Sequence, residues 1–546
     1  MEIIFVVGTA ALLLLIFAVL RVRNKKAIEF CIRHSYGDKN RVKDDVSDRM
    51  EAVSLLYENE KKNYSSSELV DDVTWDDLNM DSIFLRADHT DSFAGEQCLY
   101  SSLHILSDKP QSSVMNSESA EFFDKNEEKR NKVRKLLHSV GKPINGYYSV
   151  NIAADLSNQY LPCRHIYPLL LISLVILGVL GLVLRSPALL MLCFGNYLLN
   201  LVIHIFLRQS FEARLESLFS MGLTINAGFS ISSIVPGLSG EVTDSLKKLK
   251  KAASVMNLLN MKNSMLKSDD PLSSLASYII GPFMLDMILY NMGLKELSDK
   301  TGEYLKVYRF VGNIDCSIAI ASFRRSLSGY CVPEFSDGRS IEFTGVFHPM
   351  LTDPVANDLK QKKNVILTGS NASGKSTFIK SVAINLILAQ TLFTCTAEYA
   401  SVPRCGVITS MAVRDDLASG ESYYIREIKY LKRMTECVKQ GKLLFLAIDE
   451  ILKGTNTKER IAASKAVLRY FSSTDCILMV ATHDVELAEA FEGLYENYYF
   501  CEKLDEEDII FDYTIHKGIC RSSNAIKLLS VIGFPDEIVN SALSEL

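Results

Sequence analysis

The sequence lacks the patterns of a zinc protein, of a disulfide-stapled domain and of a strongly basic nucleic-acid-binding protein. Its 12 cysteines are scattered, and because no two stand at C-x-x-C spacing they indicate neither a zinc site nor a disulfide framework. We expect reduced, mostly buried thiols instead. The formal net charge is -6, so the chain as a whole does not attract DNA, although this composition is compatible with a local basic face.

At 546 residues the chain exceeds what one hydrophobic core normally supports, and we expect two or more domains. Hydrophobic residues make up 48% of the chain. Three apolar stretches stand out, at residues 3–20, 166–184 and 186–207. Each is long enough to cross a lipid bilayer as a helix.

Residues 3–20 carry no charged side chain and predict a transmembrane anchor. A cleaved signal peptide would carry positive charge before the apolar run, where only Met1 and Glu2 stand. A basic flank on the other side predicts that the following residues are cytoplasmic. This flank consists of Arg21, Arg23, Lys25 and Lys26. We therefore predict an uncleaved anchor that occupies residues 1–26 together with its flank.

Residues 166–207 predict a transmembrane helical hairpin, because only a three-residue turn at 185–187 separates its two apolar runs. Arginines flank the pair on both sides, which is typical of cytoplasmic ends. The prediction is a multi-pass protein of the cytoplasmic membrane, surrounded there by lipid. Residues 21–165 and 208–546 are then cytoplasmic.

Three polar side chains of the third apolar run, Asn196, Asn200 and His204, recur every four residues and so share one helical face. We predict that they hydrogen-bond across a helix interface. A transport pathway is the alternative. The absence of lysine and carboxylate side chains from the apolar runs favours the packing role.

Outside the apolar runs the pattern predicts mainly helices as far as residue 335. Residues 27–165 are expected to form a cytoplasmic helical region, with a Ser-rich loop at 101–128 and a basic helix at 126–138. The basic helix indicates a solvated surface, with contact to anionic lipid or DNA as the alternative. Residues 208–335 have helical spacing and predict a helical lever or connector.

Residues 336–546 alternate short β-rich runs with helices, which is typical of a wound α/β domain. The strand candidates are residues 364–368, 443–448 and 476–481. Each of them ends in a short polar motif. The carboxyl ends of such strands are where α/β domains bind their ligands.

The first strand leads into a G-x-x-x-x-G-K-[ST] loop and then a helix, the arrangement of a P-loop. Backbone N–H groups of such a loop bind phosphates at a helix N-terminus. We expect Lys375 to neutralise the β and γ oxygens of ATP and Ser376 to hold Mg²⁺. A chance glycine-rich turn is the alternative. The predicted ATP-binding residues of this segment are Gly369, Ser370, Asn371, Ala372, Ser373, Gly374, Lys375, Ser376 and Thr377.

The other two strands end in groups that suit hydrolysis. Asp449 is expected to coordinate Mg²⁺ and Glu450 to deprotonate the attacking water. An isolated acidic pair would more often cap a helix, but the P-loop upstream favours the catalytic interpretation. His483, at the end of the third strand, is expected to bond the γ-phosphate or the water. The predicted catalytic residues are thus Glu450, Lys375 and His483.

A serine-containing segment ending at Ser422 precedes a further predicted helix. ABC-type ATPases use a Ser/Gly helix start at this point to bind the γ-phosphate of a partner subunit. The alternative is a simple serine N-cap, with Glu427 in a salt bridge. A role for Ser422 in trans requires two subunits and therefore predicts a homodimer.

These motifs together resemble those of the MutS family of DNA mismatch repair-type ATPases. The segment T-G-S-N-A-S-G-K-S-T-F is close to the family's T-G-P-N-M-G-G-K-S-T-F. Residues 449–457 follow its D-E-x-x-x-G-T-S-T, with Asn456 in place of serine, and residues 481–483 follow its A-T-H. The family's block before the P-loop corresponds to Gly345-Val-Phe347-His348-Pro349 and Asn357-Asp358-Leu359.

The resemblance implies that Phe347, His348 and Asn357 lie near the adenine of ATP. It implies a P-loop ABC-type ATPase domain at the C-terminus, after a mostly α-helical core and lever region that transmembrane helices interrupt. The family's mismatch-reading domain has no room before the first apolar run or within residues 44–96. We therefore do not expect mismatch recognition of the ordinary kind.

The expected function is ATP hydrolysis at a dimer interface, coupled to DNA binding. One alternative is an ATPase that remodels the membrane or drives transport. The other is a nucleotide-gated scaffold that does not act on DNA. The sequence identifies no protein partner.

Overall fold

The computed structural model describes residues 23, 26–39, 49–107, 112–266, 279–370, 373–411, 423–504, 509–519 and 533–545. They divide into two compact units. The first unit takes its described residues from Met1–Asn59, His89–Tyr100 and Glu118–Ser322, and the second from Glu60–Asp88, Ser101–Ser117 and Phe323–Leu546. The second unit thus includes two early segments whose placement the sequence pattern did not predict. The predicted anchor at residues 3–20 lies outside the described residues.

The first unit contains only helices within its described residues, as the mostly helical N-terminal part of the sequence predicts. Its α-helices span residues 26–34, Met50–Glu60, Ser117–Lys125, Glu127–Val140, Ile144–Tyr147, Ser149–Ala154, Ile166–Val183, Pro187–Ile234, Thr243–Leu266 and Leu285–Leu297. Two further helices, Phe93–His104 and Thr301–Ser326, belong to it as far as Tyr100 and Ser322. Short 3₁₀ helices lie at Leu156–Gln159, Pro236–Leu238, Gly240–Val242 and Gly281–Phe283.

The helices Ile166–Val183 and Pro187–Ile234 contain the two apolar runs of the predicted hairpin. Among the described residues these two are long and apolar enough to cross a bilayer, a criterion of length and composition alone. Their large side chains face outward, with Leu182, Met191 and Phe206 exposed at 71%, 75% and 68%. The second helix continues without a break past residue 207 to Ile234. The sequence changes polarity there but has no proline to interrupt the backbone hydrogen bonds.

The polar face of the second helix forms the hydrogen bonds that its spacing predicts. Asn196 Nδ2 donates to Ser173 Oγ over 2.8 Å. Asn200 Nδ2 donates to the carbonyl oxygen of Pro282 over 3.1 Å. His204 Nε2 lies 2.8 Å from Asp286 Oδ2, and both of these side chains are buried. The carboxylate comes from a later helix, so the periodicity of the apolar run gave no sign of it.

The predicted loop at residues 101–128 is wrong where helices replace it and correct for the described residues between those helices, 105–107 and 112–116. Helices Phe93–His104 and Ser117–Lys125 occupy much of it, and they bury Leu103, Ala120 and Phe123. Burying a Leu or Phe side chain contributes roughly 1.5–3 kcal/mol, whereas a serine reduces helix stability by less than about 0.7 kcal/mol. The apolar spacing therefore outweighs the serine content.

The basic helix is confirmed as Glu127–Val140, but its basic face is not wholly solvated. Arg134 is 2% exposed, and its Nε lies 2.7 Å from Asp91 Oδ2. Arg130 is also buried and donates to the carbonyl oxygen of Phe123 over 2.9 Å. Buried arginines need such partners. These two side chains stabilise the first unit and are not part of a surface for lipid or DNA.

The second unit combines α-helices with two mixed sheets, as predicted for the C-terminal region. Its helices are Asp72–Asp77, Met80–Ala87, Lys375–Thr391, Tyr423–Val438, Thr457–Ser472, Val485–Ala490 and Asp536–Ser544. Its strands are β1 (Glu334–Ser336), β2 (Ile341–Val346), β3 (Asn357–Gln361), β4 (Val365–Thr368), β5 (Tyr399–Pro403), β6 (Gly406–Ser410), β7 (Leu444–Asp449), β8 (Cys476–Ala481), β9 (Glu496–Tyr499), β10 (Glu502–Leu504), β11 (Ile509–Phe511) and β12 (His516–Lys517). The three predicted strands correspond to β4, β7 and β8.

The larger sheet has the strand order β12-β9-β4-β8-β7-β6. Strands β9, β4, β8, β7 and β6 are parallel, and β12 is antiparallel to β9. Strands β4 and β8 are fully buried, which is typical of a parallel sheet covered by helices on both faces. A smaller sheet has the order β1-β5-β2-β3, and β10 and β11 form a separate hairpin.

The edge strand β6 is covered by the early segment of the second unit. Asp77 Oδ2 accepts hydrogen bonds from Thr409 Oγ1 over 2.7 Å and from the Met411 N–H over 2.9 Å. The Thr409 N–H donates to Thr74 Oγ1 over 3.2 Å. At Gly406 the two segments of the chain approach so closely that an added Cβ would lie 2.3 Å from the carbonyl oxygen of Ser67. Only glycine fits there.

Candidate functional site

Three polar motifs meet at one edge of the larger sheet because of its strand order. Strand β8 lies between β4 and β7, and all three strands are parallel. Their carboxyl ends therefore face the same way. The loop that follows β4 begins at Gly369, the segment after β8 contains His483, and Glu450 directly follows β7. This edge of the sheet is the candidate site.

The loop after β4 has the backbone geometry that its glycines allow. Gly369 has φ +144°, and an added Cβ would lie 2.4 Å from the carbonyl oxygen of Phe500. Gly374 has φ +106° and directly precedes the helix Lys375–Thr391. A non-glycine residue is strained in such conformations. The loop thus ends at the N-terminus of a long helix, where unpaired N–H groups attract anions.

Lys375 is buried at the start of this helix, with 4% of its surface exposed. Its ammonium group donates to the carbonyl oxygens of Gly369 over 2.7 Å and Ser370 over 2.6 Å. These bonds hold the side chain curled back over the loop. Ser373 N–H and Oγ both donate to the Ser370 carbonyl, which closes the described part of the turn. Asn371 and Ala372 lie outside the described residues.

Glu450 occupies a left-handed backbone conformation, with φ +65°, immediately after β7. Its side chain is 7% exposed, and Oε2 lies 2.6 Å from Lys453 Nζ and 3.4 Å from His483 Nδ1. The neighbouring Asp449 is the last residue of β7 and pairs with Ala481 of β8. The structure therefore brings Glu450 and His483 together, as their positions at neighbouring strand ends predict.

The electrostatic surroundings favour a neutral imidazole at His483. Partial burial lowers the pKa of His483, and this effect exceeds the opposing influence of the Asp484 carboxylate. Arg460, Lys453 and Lys375 also lower this pKa. Arg460 itself lies 2.7 Å from Asp484 Oδ1, which draws the carboxylate charge away from the imidazole. At neutral pH one ring nitrogen of His483 is thus available to accept a hydrogen bond and the other to donate one.

A cavity of about 600 Å³ opens beside Lys375. This volume lies within the range of about 300–1,000 Å³ that is typical of small-molecule sites. The predicted residues that line it are Phe347, His348, Asn357, Ser370, Gly374, Lys375, Ser376, Thr377 and Glu450. Predicted residues that do not line it are Gly369, Ser373, Asp449 and His483. Ser422 lies outside the described residues.

The cavity also has an apolar wall whose residues were not among the predicted site residues. Its members are Leu351, Val355, Phe378, Phe500 and Tyr513. Tyr513 has φ +53° and lies far from the P-loop along the chain. No short motif surrounds it, so only the fold brings it to the cavity.

Asn357 connects this wall to strand β3. Its Nδ2 donates to the carbonyl oxygen of Tyr513 over 3.0 Å, and its Oδ1 accepts from the Ile515 N–H over 2.7 Å. The side chain is buried, with 7% of the residue surface exposed. It therefore holds the segment that carries Tyr513 against the cavity.

Replacing Asn357 by alanine is expected to lower the free energy of unfolding by about 1–3 kcal/mol, because two hydrogen bonds to partly buried backbone groups are lost and each contributes about 0.5–1.5 kcal/mol. Urea denaturation of the purified protein measures this difference. The matched control is Lys360→Ala on the same strand, whose side chain is 59% exposed and pairs with Glu342 at the surface. That change should cost less than about 1 kcal/mol. Equal stability of the two variants would contradict the assigned role of Asn357.

His348, which also lines the cavity, is held neutral by its surroundings. Burial lowers its pKa to about 4, and the nearby positive charge of Lys380 adds to this effect. Its Nδ1 accepts a hydrogen bond from the Met350 N–H over 3.2 Å. The imidazole is therefore an uncharged, flat group beside Phe347, suited to contact with a planar ring.

Glu427 joins the helix Tyr423–Val438 to the loop after Glu450. It is 5% exposed, and its carboxylate accepts from the N–H groups of Lys453 over 3.2 Å and Gly454 over 3.4 Å. Its role is thus a backbone clamp.

Residues 365–546 match the family model of MutS domain V. The C-terminal half of the chain is similar to MutS. It is 31% identical to the DNA mismatch repair protein MutS of Pseudothermotoga lettingae over 269 residues, which are 46% of this chain and 32% of that protein. For MutS of Thermotoga petrophila the identity is 28% over 268 residues, or 47% and 33% of the two chains. For MutS of Staphylococcus haemolyticus it is 28% over 262 residues, or 44% and 29%.

These matches support the MutS resemblance that the motifs predict for the C-terminal half. The match spans about a third of the length of each relative. The first unit of the chain, with its apolar helices, lies largely outside the family match at residues 365–546.

Proposed function

We propose that the chain is a Mg²⁺-dependent ATPase of the MutS type, which binds ATP in the cavity beside Lys375 and hydrolyses it with Glu450 as the general base. The observation that carries this proposal is a single cavity lined by Lys375, Glu450 and the residues expected near adenine. A phosphate-binding loop, an acidic strand end and a planar, uncharged subsite are the three parts that ATP hydrolysis requires.

The phosphate end of ATP would displace the carbonyl partners of Lys375. The ammonium group now bonds two loop carbonyls, which are weaker partners than charged phosphate oxygens. The adenine would lie against Phe347, neutral His348 and Tyr513, which provide flat and apolar contacts. The ligand would then extend from the loop to the apolar wall of the cavity.

Ser376 and Asp449 are the residues that would hold Mg²⁺. A hydroxyl from the first helical turn and one strand-end carboxylate suit this ion, which usually takes one or two protein oxygens plus phosphate and water. When bound, the ion supplies positive charge that stabilises the transferring phosphate. Within the described residues no group of three acidic, His or Cys side chains forms a separate metal site.

Glu450 is the residue that would take the proton of the attacking water. Its carboxylate is almost fully buried and held by Lys453, so it has little freedom to turn away. His483, beside it, would donate one hydrogen bond to the γ-phosphate while remaining neutral. Ser422, contributed by a partner subunit, would complete the site in a homodimer.

We place the two exposed apolar helices in the cytoplasmic membrane as part of this proposal. Isolated in water, the outward side chains of Ile166–Val183 would expose a continuous apolar surface. A lipid bilayer covers such a surface at no cost in backbone hydrogen bonds, because both elements are helices. Residues 21–165 and 208–546, which include the candidate site, would then lie on the side that contains ATP.

A topology reporter tests this arrangement. A cytoplasm-active reporter fused after Leu546 should be active, and the same reporter inserted in the turn at Arg185-Ser186 should be silent. A reporter that is active only outside the cell should show the reverse pattern. External activity of the C-terminal fusion would contradict both the orientation and the supply of ATP.

DNA is the proposed partner of the ATP cycle, since the relatives named above are DNA mismatch repair proteins. Contacts from Lys and Arg to phosphates would provide the affinity. The membrane-linked ATPase is the second candidate, favoured by the unbroken helix that joins the apolar run to residues packed inside the first unit, such as Leu218 and Ile225. Movement of that helix would reach the membrane directly.

ATPase measurements on the full chain in lipid nanodiscs distinguish these functions. Stimulation by duplex DNA supports the first, and dependence on lipid composition without DNA stimulation supports the second.

We expect DNA affinity to fall steeply with salt and to differ by less than about tenfold between a matched duplex and its G·T counterpart, because phosphate contacts carry no pairing information. A larger preference would contradict this expectation, and no ATP turnover under any condition would contradict the proposed function.

A further inference from the structure

Two cysteines of the second unit face each other across an antiparallel bridge, Cys331 and Cys395. The Cys331 N–H donates to the Cys395 carbonyl oxygen over 3.0 Å, and the Cys395 N–H returns a bond to the Cys331 carbonyl oxygen over 2.9 Å. Residues that exchange both bonds have Cα atoms about 5.5 Å apart. This separation lies within the range of about 4.4–6.8 Å that disulfides span.

The two thiols differ in reactivity. Cys395 is completely buried, whereas Cys331 is partly exposed. A hydrogen bond from the Cys395 thiol lowers the pKa of Cys331, while burial raises the pKa of Cys395. The Cys395 sulfur also lies 3.7 Å from the carbonyl oxygen of Asn385, a second acceptor for its proton. A partly exposed cysteine beside a buried one is the arrangement of a nucleophile and its resolving partner.

Cys395 is directly connected to the wall of the candidate site through the next residue. Thr396 Oγ1 donates to the carbonyl oxygen of Phe347 over 2.6 Å, and the Phe347 N–H donates back to the Thr396 carbonyl over 3.0 Å. Asn385 Oδ1 accepts from the Thr396 N–H over 2.6 Å. Phe347 lines the cavity. A shift of Cys395 is therefore transmitted to the surface on which adenine is proposed to rest.

We propose that Cys331 and Cys395 form a reversible disulfide in response to hydroperoxides, and that this disulfide weakens ATP binding by displacing Thr396 and Phe347. The effect on ATP binding rests on the proposed function, whereas formation of the disulfide does not. Opposed Cβ atoms in a strand pair are about 4.5–5.5 Å apart, and a disulfide draws them to about 3.8 Å. Closing this distance pulls the backbone at Cys395 toward Cys331 by a fraction of the difference, while the Cα separation stays within the range of a disulfide.

The chemistry is a two-electron oxidation with peroxide as the oxidant. The Cys331 thiolate attacks one peroxide oxygen, so that an S–O bond forms, the O–O bond breaks and hydroxide leaves, to be protonated to water. The Cys395 sulfur then attacks the Cys331 sulfur, the S–S bond forms, and the S–O bond breaks with loss of the second water. A low-molecular-weight thiol reverses the step by exchange.

Peptide mapping of the full chain in detergent micelles tests the disulfide. Reduced protein is incubated with hydrogen peroxide, free thiols are alkylated, and linked peptides are identified by mass spectrometry. We expect a Cys331–Cys395 link that dithiothreitol removes and that is absent from Cys331→Ser. Cys437→Ser, a buried cysteine of the same unit, is the matched control and should keep the link. Failure of the wild-type protein to form this link would overturn the proposal.

Titration with fluorescent mant-ATP before and after oxidation tests the coupling. We expect about a tenfold loss of affinity in the wild-type protein, within the usual range for coupled sites, and no change in Cys331→Ser or Cys395→Ala. An oxidised protein that carries the link but keeps its affinity would overturn the coupling. Reduced protein that binds no mant-ATP would instead contradict the proposed function and the coupling, while the peptide map still decides the disulfide.

Discussion

Glu450→Gln is expected to bind ATP nearly as tightly as the unchanged protein and to turn it over at least about a hundredfold more slowly. General bases contribute roughly 10²–10⁴-fold to such reactions. Glutamine has the shape of glutamate, so it preserves the cavity beside Lys375, but its amide does not take up the proton of water. Steady-state ATPase rates and mant-ATP titration, measured on the same samples, separate the two effects.

The matched control is Glu486→Gln, which changes an exposed glutamate on the helix Val485–Ala490 at the same edge of the sheet. It removes the same charge without altering the cavity lining, and its turnover should be unaffected. A Glu450→Gln protein with normal turnover would refute the assignment of the base. His483, 3.4 Å from the Glu450 carboxylate, would then be the next candidate.

Lys375→Ala is expected to weaken ATP binding by about 2–5 kcal/mol, since it leaves phosphate charge in the site without its partner. This corresponds to a loss of affinity between roughly thirtyfold and several thousandfold. The measurement is mant-ATP titration at constant salt. Lys362→Ala, on an exposed lysine just before β4, is the control and should bind normally.

The fold of the variant needs a separate measurement, because Lys375 also bonds the carbonyl oxygens of Gly369 and Ser370. We expect thermal unfolding without nucleotide to shift by only a few degrees, since both carbonyls lie at a loop that water reaches. Stabilisation by added ATP should disappear in the variant, as ligand linkage requires. A folded Lys375→Ala protein with unchanged ATP affinity would exclude this lysine from the phosphate site.

The arrangement of the loop, Lys375 and Glu450 at the cavity was predictable because its signals are local. Glycines that permit positive φ, a lysine at a helix start and carboxylates at a strand end are all short-range patterns around Gly374, Lys375 and Glu450. Buried parallel strands have continuous apolar sequence, which located β4, β7 and β8. The motifs follow these three strands, and ligands bind at the carboxyl ends of parallel strands. The sequence therefore also predicted that the motifs lie close to one another.

The apolar end of the site was not predictable in the same way. Tyr513 and Phe500 reach the cavity through strand order and through the bonds of Asn357, and neither gives a pattern within its own segment. The Asp286 partner of His204 is a similar case, because the two residues are 82 positions apart. Pairings of this kind depend on the packing of distant elements, and a single sequence has no periodicity that records them.

The prediction of a loop for the serine-rich stretch at residues 101–128 failed in part, for a different reason. Its composition is typical of a loop, yet Leu103 and Phe123 are at spacings that bury them on helices. Composition averages over positions, whereas packing depends on which positions are apolar. The helix Pro187–Ile234 shows the converse, because the sequence changes from apolar to polar along it while the helix continues without a break.

Residues 60–88, which cover the edge strand β6, determine which truncated forms of the chain can fold. A fragment that starts after the apolar hairpin would retain β6 but lose Ser67, Thr74 and Asp77. Thr74 and Asp77 form hydrogen bonds with Thr409 of β6, and the backbone of Ser67 packs against Gly406. An uncovered edge strand invites pairing with other copies and hence precipitation during expression. A soluble version should therefore delete the hairpin internally, joining the flanking helices with a linker, so that residues 60–88 still reach their sheet.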